Sequence, residues 1–285
     1  FVALDAGTLR VGVRRAREAG SLAGIEPPEG IPWTYDAWFL RERIRAYLVT
    51  HPHLDHVAGL VLNATDDARI KPILGLASTL DVLRDDYFDG LAWPNFTDEG
   101  LDPRLGTYRL VRLEPGTAVP VEGTGLTAEA LPLSHGLATS TAFLVGTAYA
   151  SAYVLYLGDT GPDAVEKAGR LAAVWERVAP LVRERRLRAL YLECSYPDGR
   201  PDDRLYGHLT PAWVSAELGE LARRVGPAAP ERALDGVTVV VTHVKPALEC
   251  GAHATARDRI AAELAGHPAY GARIVVPGQG ERLEF

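Results

Sequence analysis

Apolar, β-branched runs recur along the chain with helix-like stretches between them. The clearest are FVALDAG (1–7), RAYLVTH (45–51), KPILGLA (71–77), TYRLVRL (107–113), LTAEALPLSH (126–135), TAFLVG (141–146), YVLYLGD (153–159), ALYLECS (189–195), VTVVVTHV (237–244) and RIVVP (273–277). Each is short and ends in turn-forming or polar residues, which predicts a strand. Residues 153–157 and 237–241 are apolar without alternation, the pattern of strands buried on both faces, so helices should cover the sheets. Between the runs, residues 163–186 place Leu171, Val174, Trp175, Val178 and Leu181 at helical spacing, with Pro180 expected to bend or interrupt them. Residues 211–225 repeat the pattern with Val214, Leu218, Leu221 and Val225, behind Thr210 as N-cap and Pro211 at the first helical position. A third helix is expected over 254–265, with Gly266 as its C′ residue. No repeat or linker interrupts the alternation, so residues 1–285 are expected to form a single α/β domain.

Composition narrows the function without choosing it. The chain has 285 residues, 47% hydrophobic and 24% charged, enough to bury a large core. A net charge of −7 argues against a broad basic face for nucleic acid, although a local metal charge can still hold a small anion. No apolar run approaches the roughly 20 residues of a membrane-spanning helix. The two cysteines, Cys194 and Cys250, form no CxxC pair and are expected as separate buried thiols. The chain contains no methionine and opens on what reads as a strand already under way. The expectation is an N-terminus that is absent from this chain or was cleaved as a targeting segment, which leaves cytoplasm and periplasm both open.

The eight histidines are distributed unevenly. Three fall in the stretch THPHLDH, as His51, His53 and His56, with Asp55 among them. In an extended strand residues i and i+2 point the same way, so His51 and His53 present two imidazoles on one side. Pro52 stiffens the chain and marks a strand end, and His56 is expected to open the helix HVAGLVLN. Three imidazoles and a carboxylate at one turn suit zinc or a similar first-row metal. Other strand ends carry His135, Asp159 and His243, each directly after an apolar run. A lone strand-end histidine is usually a turn residue, but three beside an HxHxDH cluster point to a second metal.

The order HxHxDH, then distant His, Asp and His, resembles the metallo-β-lactamase superfamily. The surrounding words VTHPHLDHVAGL, LPLSHG, YLGDTGPD, LECSYPDGRPDDRLYGHLTP and VTHVKP, with LAWPNF (91–96), look like its class II cyclic-nucleotide phosphodiesterases. The words span residues 47–246. Two departures concern the substrate rim: the strand hairpin that usually precedes the LDAG element is missing, and the stretch between His135 and TAFLV is short. The resemblance implies a four-layer αβ/βα sandwich with two mixed sheets flanked by helices. It implies two divalent metals, zinc expected and manganese or iron as alternatives. His51, His53 and His135 would hold the first, Asp55, His56 and His243 the second, and Asp159 would bridge them. The implied reaction is hydrolysis of cAMP or cGMP to the 5′-nucleotide by a hydroxide shared between metals about 3.5–4 Å apart.

Further roles follow from position. Asp55 would orient or deprotonate the nucleophile, and His208, in GHLTP, is the candidate general acid. Related nucleases of the superfamily place a histidine similarly, after an acidic ExS/T word, and by that resemblance Glu193, with Ser195, would orient His208 rather than bind metal. Thr210 and the start of the 211–225 helix would favour phosphate oxygens. Trp93 and Phe96, with Asn95 between, would stack on and hydrogen-bond a purine, with rim or core packing the competing reading. His253, His267 and Lys245 are expected at the surface. The expected partner is a small cyclic nucleotide, with no nucleic acid and no membrane, and a homodimer is left open. Two alternatives remain. One keeps the metals but acts as an RNA 3′-end-processing nuclease, lactonase or thioesterase. The other is a non-catalytic scaffold, which the full set of seven ligands disfavours.

Overall fold

The computed structural model describes residues 1–149, 151–246 and 255–285. The chain forms two compact units: residues 1–130 with 278–284, and residues 131–277 with 285. Both are mixed α/β, and each is built around a sheet.

The first unit contains β1 (Val2–Leu4), α1 (Leu9–Glu18), α2 (Tyr35–Trp38, continued by a wide turn over Phe39–Arg43), β2 (Ala46–Leu48) and α3 (Leu54–Leu62). It continues with β3 (Lys71–Gly75), α4 (Ala77–Val82), β4 (Tyr108–Arg112) and β5 (Ala118–Val121). Strands β1-β2-β3-β4 lie side by side, all parallel. Ala46, Tyr47, Leu48 and Val49 are wholly buried, as expected for a strand covered on both faces. Their core includes Ile73, Leu80, Leu83 and Phe88.

Strand β5 pairs antiparallel with the start of β6 (Leu126–His135), whose later residues open the second unit. That unit adds β7 (Ala138–Thr147), β8 (Tyr153–Leu157), α5 (Asp163–Glu166), α6 (Arg170–Arg183) and β9 (Leu187–Glu193). It ends with α7 (Pro211–Val225), β10 (Thr238–Thr242), α8 (Ala256–Ala265) and β11 (Arg273–Val275). The strand order is β11-β10-β9-β8-β7-β6, parallel from β11 to β8 and antiparallel between β8 and β7. Trp175, Val178, Leu190, Val214, Leu218 and Val239 are buried in its core.

Several expectations are corrected. The strand expected over 1–7 stops at Leu4, because Asp5 turns the chain with φ +57°. The helix expected over 163–186 is two helices, separated where Lys167 and Gly169 take left-handed conformations. Pro180 lies inside α6 without ending it, since the one missing backbone bond is outweighed by a buried face containing Leu171, Val174, Trp175 and Leu181. Helix α3 begins at Leu54 with His53 as N-cap, so His56 is its third residue and not its first. Helix α8 starts after a Thr255–Asp258 capping box, and Gly266 is a right-handed C-cap. Helices α1, α2 and α4 and strand β5 were not expected.

Candidate metal-ligand clusters

In the first unit β2 delivers Thr50 and His51 at its end, and the first turn of α3 delivers Asp55 and His56. Two glycines let β1 and α3 meet. A Cβ on Gly7 would lie 1.7 Å from the Asp55 carbonyl oxygen, and one on Gly59 would lie 2.5 Å from the Ala6 oxygen. This close approach, sealed by the Ala6 N–H donating to the His56 carbonyl at 2.8 Å, brings Asp5 against His56.

The rings of His51 and His53 lie 4.5 Å apart between centroids, and those of His51 and His56 lie 4.1 Å apart. Asp5 sets their protonation. Its carboxylate accepts from the Thr50 N–H (2.8 Å), the Thr50 hydroxyl (2.9 Å) and His56 Nδ1 (2.8 Å). A carboxylate only accepts, so His56 carries its hydrogen on Nδ1 and its lone pair on Nε2. The Thr50 hydroxyl has one hydrogen and gives it to Asp5. His51 Nδ1, 2.9 Å from that hydroxyl, must then be the donor, which again leaves the lone pair on Nε2.

The second unit repeats this chemistry on other elements. Asp159 follows β8, Glu193 ends β9, Ser195 follows it and His243 follows β10. Glu193 is buried and accepts from the Thr160 N–H (3.0 Å), His208 Nδ1 (2.8 Å), the Ser195 hydroxyl (2.7 Å) and the Leu209 N–H (3.3 Å). The Ser195 hydroxyl, its hydrogen given to Glu193, accepts from His243 Nδ1 at 2.9 Å. His243 sits at φ +55°, a strained backbone for a residue with a side chain. His135 Nδ1 donates to the Gly207 carbonyl at 2.8 Å. Burial holds its imidazole below the ordinary histidine range, which keeps it neutral. Thus Nδ1 is the hydrogen-bonded nitrogen of His135, His208 and His243.

His135, Asp159 and His208 each present a donor atom, all within 4.8 Å of one another, and so do Glu193, His208 and His243. Asp159 Oδ2 lies 3.3 Å from His243 Nε2. Imidazoles beside buried carboxylates are the donor set of a first-row divalent ion, so the residues fit such a metal.

Other expected site residues take different roles. Asn95 is buried, and its amide is committed to its own loop. The nitrogen donates to the Glu99 and Leu101 carbonyls (2.7 Å each), and the oxygen accepts from the Thr97 N–H and hydroxyl (3.0 and 2.7 Å). Phe96 packs on Phe88 in the first core. Neither is available to a base, which corrects the expected purine site. Trp93 remains partly buried, its Nε1 without a partner among the described residues. Thr210 is buried, and the Ala212 N–H behind it donates to Asp198 Oδ1 at 2.8 Å. The start of α7 therefore already faces a carboxylate, which corrects the expected phosphate site there. His267 is partly exposed and pairs with Asp198 at 2.7 Å. Cys194 is a buried thiol whose ionisation is pushed up by burial. Cys250 and His253 lie outside the described residues.

Sequence reasoning missed Asp5, Thr50 and Thr160. The only signal for Asp5 was its place in LDAG, an acid at a strand end before a glycine.

The family model for class-II cAMP phosphodiesterases matches residues 29–280. The chain is 38% identical over 285 residues to a probable 3′,5′-cyclic-nucleotide phosphodiesterase of Yersinia pestis, covering 100% of this chain and 81% of that protein. It is 36% identical over 285 residues to a 3′,5′-cyclic-nucleotide phosphodiesterase of Aliivibrio fischeri, covering 100% and 84%. Among solved structures it is similar to unliganded yeast PDE1, with TM-score 0.78, 24% identity and coverage of 98% of this chain and 89% of that one. It is also similar to YhfI of Bacillus subtilis, a metallo-β-lactamase-fold protein, with TM-score 0.55, 17% identity and coverage of 97% and 84%. The structural likenesses show the metallo-β-lactamase fold.

Proposed function

The chain belongs to the class-II cAMP phosphodiesterases, and from that premise we propose that it hydrolyses 3′,5′-cyclic nucleotides, cAMP, cGMP or both, to 5′-nucleotides with two divalent metal ions. We assign residues 1–285 to one hydrolase domain. His51, His53 and His135 are the proposed ligands of one metal, Asp55, His56 and His243 those of the other, and Asp159 is shared. The observation that carries the reading is the way both units fix their histidines. In each, a buried carboxylate, Asp5 or Glu193, holds one imidazole directly and a second through a hydroxyl. In each, Nδ1 makes the orienting hydrogen bond, so Nε2 of His51, His56 and His243 is the nitrogen proposed for coordination.

Bound metals supply Lewis acidity toward the phosphate and lower the pKa of a coordinated water. The protein residues handle orientation and protons. Asp55 accepts the proton of the attacking water as the new P–O bond forms in line with the 3′-oxygen. His208, protonated on both nitrogens, gives its Nε2 proton to the departing 3′-oxygen, so one proton enters and one leaves. Glu193 holds the ring in place, its carboxylate accepting from Nδ1 at 2.8 Å. His208 thus acts as general acid with Glu193 orienting it.

The test is hydrolysis of cAMP, cGMP and bis(p-nitrophenyl) phosphate side by side, with metal content measured on the same sample. Turnover of a cyclic nucleotide with bound metal is expected. Cleavage of the generic ester with neither nucleotide turned over would reject the substrate, and activity in metal-free protein would reject the mechanism.

A further inference from the structure

With Asn95 and Phe96 committed elsewhere, base recognition needs another group. Tyr206 lies in the loop between a short 3₁₀ turn at Asp202–Arg204 and His208, and it is 66% exposed, a large ring left in solvent. Its backbone is held at φ +54°, a conformation costly for an aromatic residue and natural for glycine. The ring contributes no core packing that would explain keeping it there.

The loop is nonetheless fixed. Gly207 at φ +79° lies so close to the histidine strand end that a Cβ on it would be 2.6 Å from both the Gly136 nitrogen and His135 Nδ1. Its carbonyl accepts the His135 hydrogen bond described above. Tyr206 is therefore a rigidly anchored, exposed ring two residues from the proposed general acid, within about 7 Å of chain.

Arg200 stands beside it. Its guanidinium carbon lies 3.7 Å from the Tyr196 ring centroid and 5.6 Å from that of Tyr206. The Tyr196 ring in turn lies 5.6 Å from the His208 ring. Arg200 Nε donates to the Arg204 carbonyl, and its terminal nitrogens have no acceptor among the described residues. An arginine presenting donors beside an exposed ring, in a protein of net charge −7, is an arrangement for a planar, acceptor-rich or anionic ligand.

We infer that Tyr206, backed by Arg200, is the stacking platform for the nucleobase of the substrate, and so a specificity-determining residue outside the metal-ligand set. The inference rests on the cyclic-nucleotide reading above. A base has a π-face whatever its identity, so stacking selects nucleotides over simple phosphodiesters without strongly separating adenine from guanine.

The experiment compares wild type with Tyr206→Ala, Tyr206→Phe and Arg200→Ala on cAMP, cGMP and bis(p-nitrophenyl) phosphate. Tyr206→Ala should raise KM for cyclic nucleotides roughly 10-fold or more, with a smaller effect on kcat. Its preference for cyclic nucleotide over the generic ester should fall by the same factor. Tyr206→Phe should restore most of the affinity, and Arg200→Ala should shift KM in the direction of Tyr206→Ala. A merely structural role would instead lower thermal stability and kcat on all three substrates together. If wild type turns over cyclic nucleotides and Tyr206→Ala leaves their KM within twofold, the inference is overturned and the function stands. If wild type turns over neither nucleotide, the functional reading fails first and the platform goes with it.

Discussion

Replacing Asp5 with alanine removes the group on which the first unit's histidine geometry depends. Asp5 accepts three hydrogen bonds, from the Thr50 N–H, the Thr50 hydroxyl and His56 Nδ1, at 2.8–2.9 Å. The Thr50 hydroxyl can rotate to another acceptor, but the Thr50 N–H and the His56 Nδ1–H are left buried without one. Each such orphaned donor costs about 1–3 kcal/mol, so the loss is about 2–6 kcal/mol in total. For a unit of this size that lowers Tm by on the order of 10 °C. His56 also loses the partner that fixed its tautomer, and His51 loses the hydroxyl orientation that fixed its own. Outer partners of this kind are worth about 10–100-fold in metal affinity or activity. Asp5→Asn, which keeps one acceptor oxygen, should fall between wild type and Asp5→Ala. The assay is metal titration, turnover and thermal melting on the three proteins in parallel. If Asp5→Ala binds metal and turns over substrate at wild-type levels while merely melting earlier, Asp5 supports the fold alone and its role in orienting the histidines is refuted.

Other outcomes test other parts of the molecule. His208→Ala should keep both metals and lose roughly 10²–10⁴-fold in turnover, and a variant depleted in metal by mass spectrometry would contradict its role as general acid. Lys71 is buried and pairs with Asp67 at 2.5 Å while donating to the Leu40 carbonyl at 2.6 Å. Lys71→Met should destabilise the chain by about 3–5 kcal/mol in urea, because it strands the Asp67 carboxylate beside Tyr47 and Tyr108. A change under about 1 kcal/mol would mean the pair is dispensable. Burial raises the Glu217 carboxyl above its ordinary range, against hydrogen bonds from Trp175 Nε1 and the Asp163 N–H that oppose the shift. The folded chain then holds that proton to higher pH than the unfolded chain. The associated stability is present at low pH and declines as pH rises through the folded value. Glu217→Gln should flatten the Tm–pH curve just above the ordinary carboxylate range, and a slope identical to wild type would show that Glu217 does not titrate there.

Where the ends of strands fall was legible in the order of residues alone, because apolar runs and the turn formers after them are local signals. Strand β6 and helix α7 match their expected bounds, and His51, His135, Asp159 and His243 were each marked as candidates by following such a run. Short or partly exposed elements were not legible. Helix α1 buries only Val13, so its apolar stripe is too thin to register, and β5 is four residues long with a single buried position. Nor could local pattern reveal that Asn95 and Phe96 are consumed by their own loop and core, since LAWPNF reads the same whichever way its side chains turn.

What only the tertiary structure decided was partnership. Asp5 meets Thr50 and His56 across 45 and 51 residues, and Glu193 meets His208 across 15. A hydrogen bond between distant segments leaves no periodicity in either of them. It appears only once packing has brought both segments together, when burial makes an acceptor for each donor obligatory. The residue types determined that this chain can bind metal. The fold decided which nitrogen of His51, His56, His135 and His243 is taken up by a hydrogen bond.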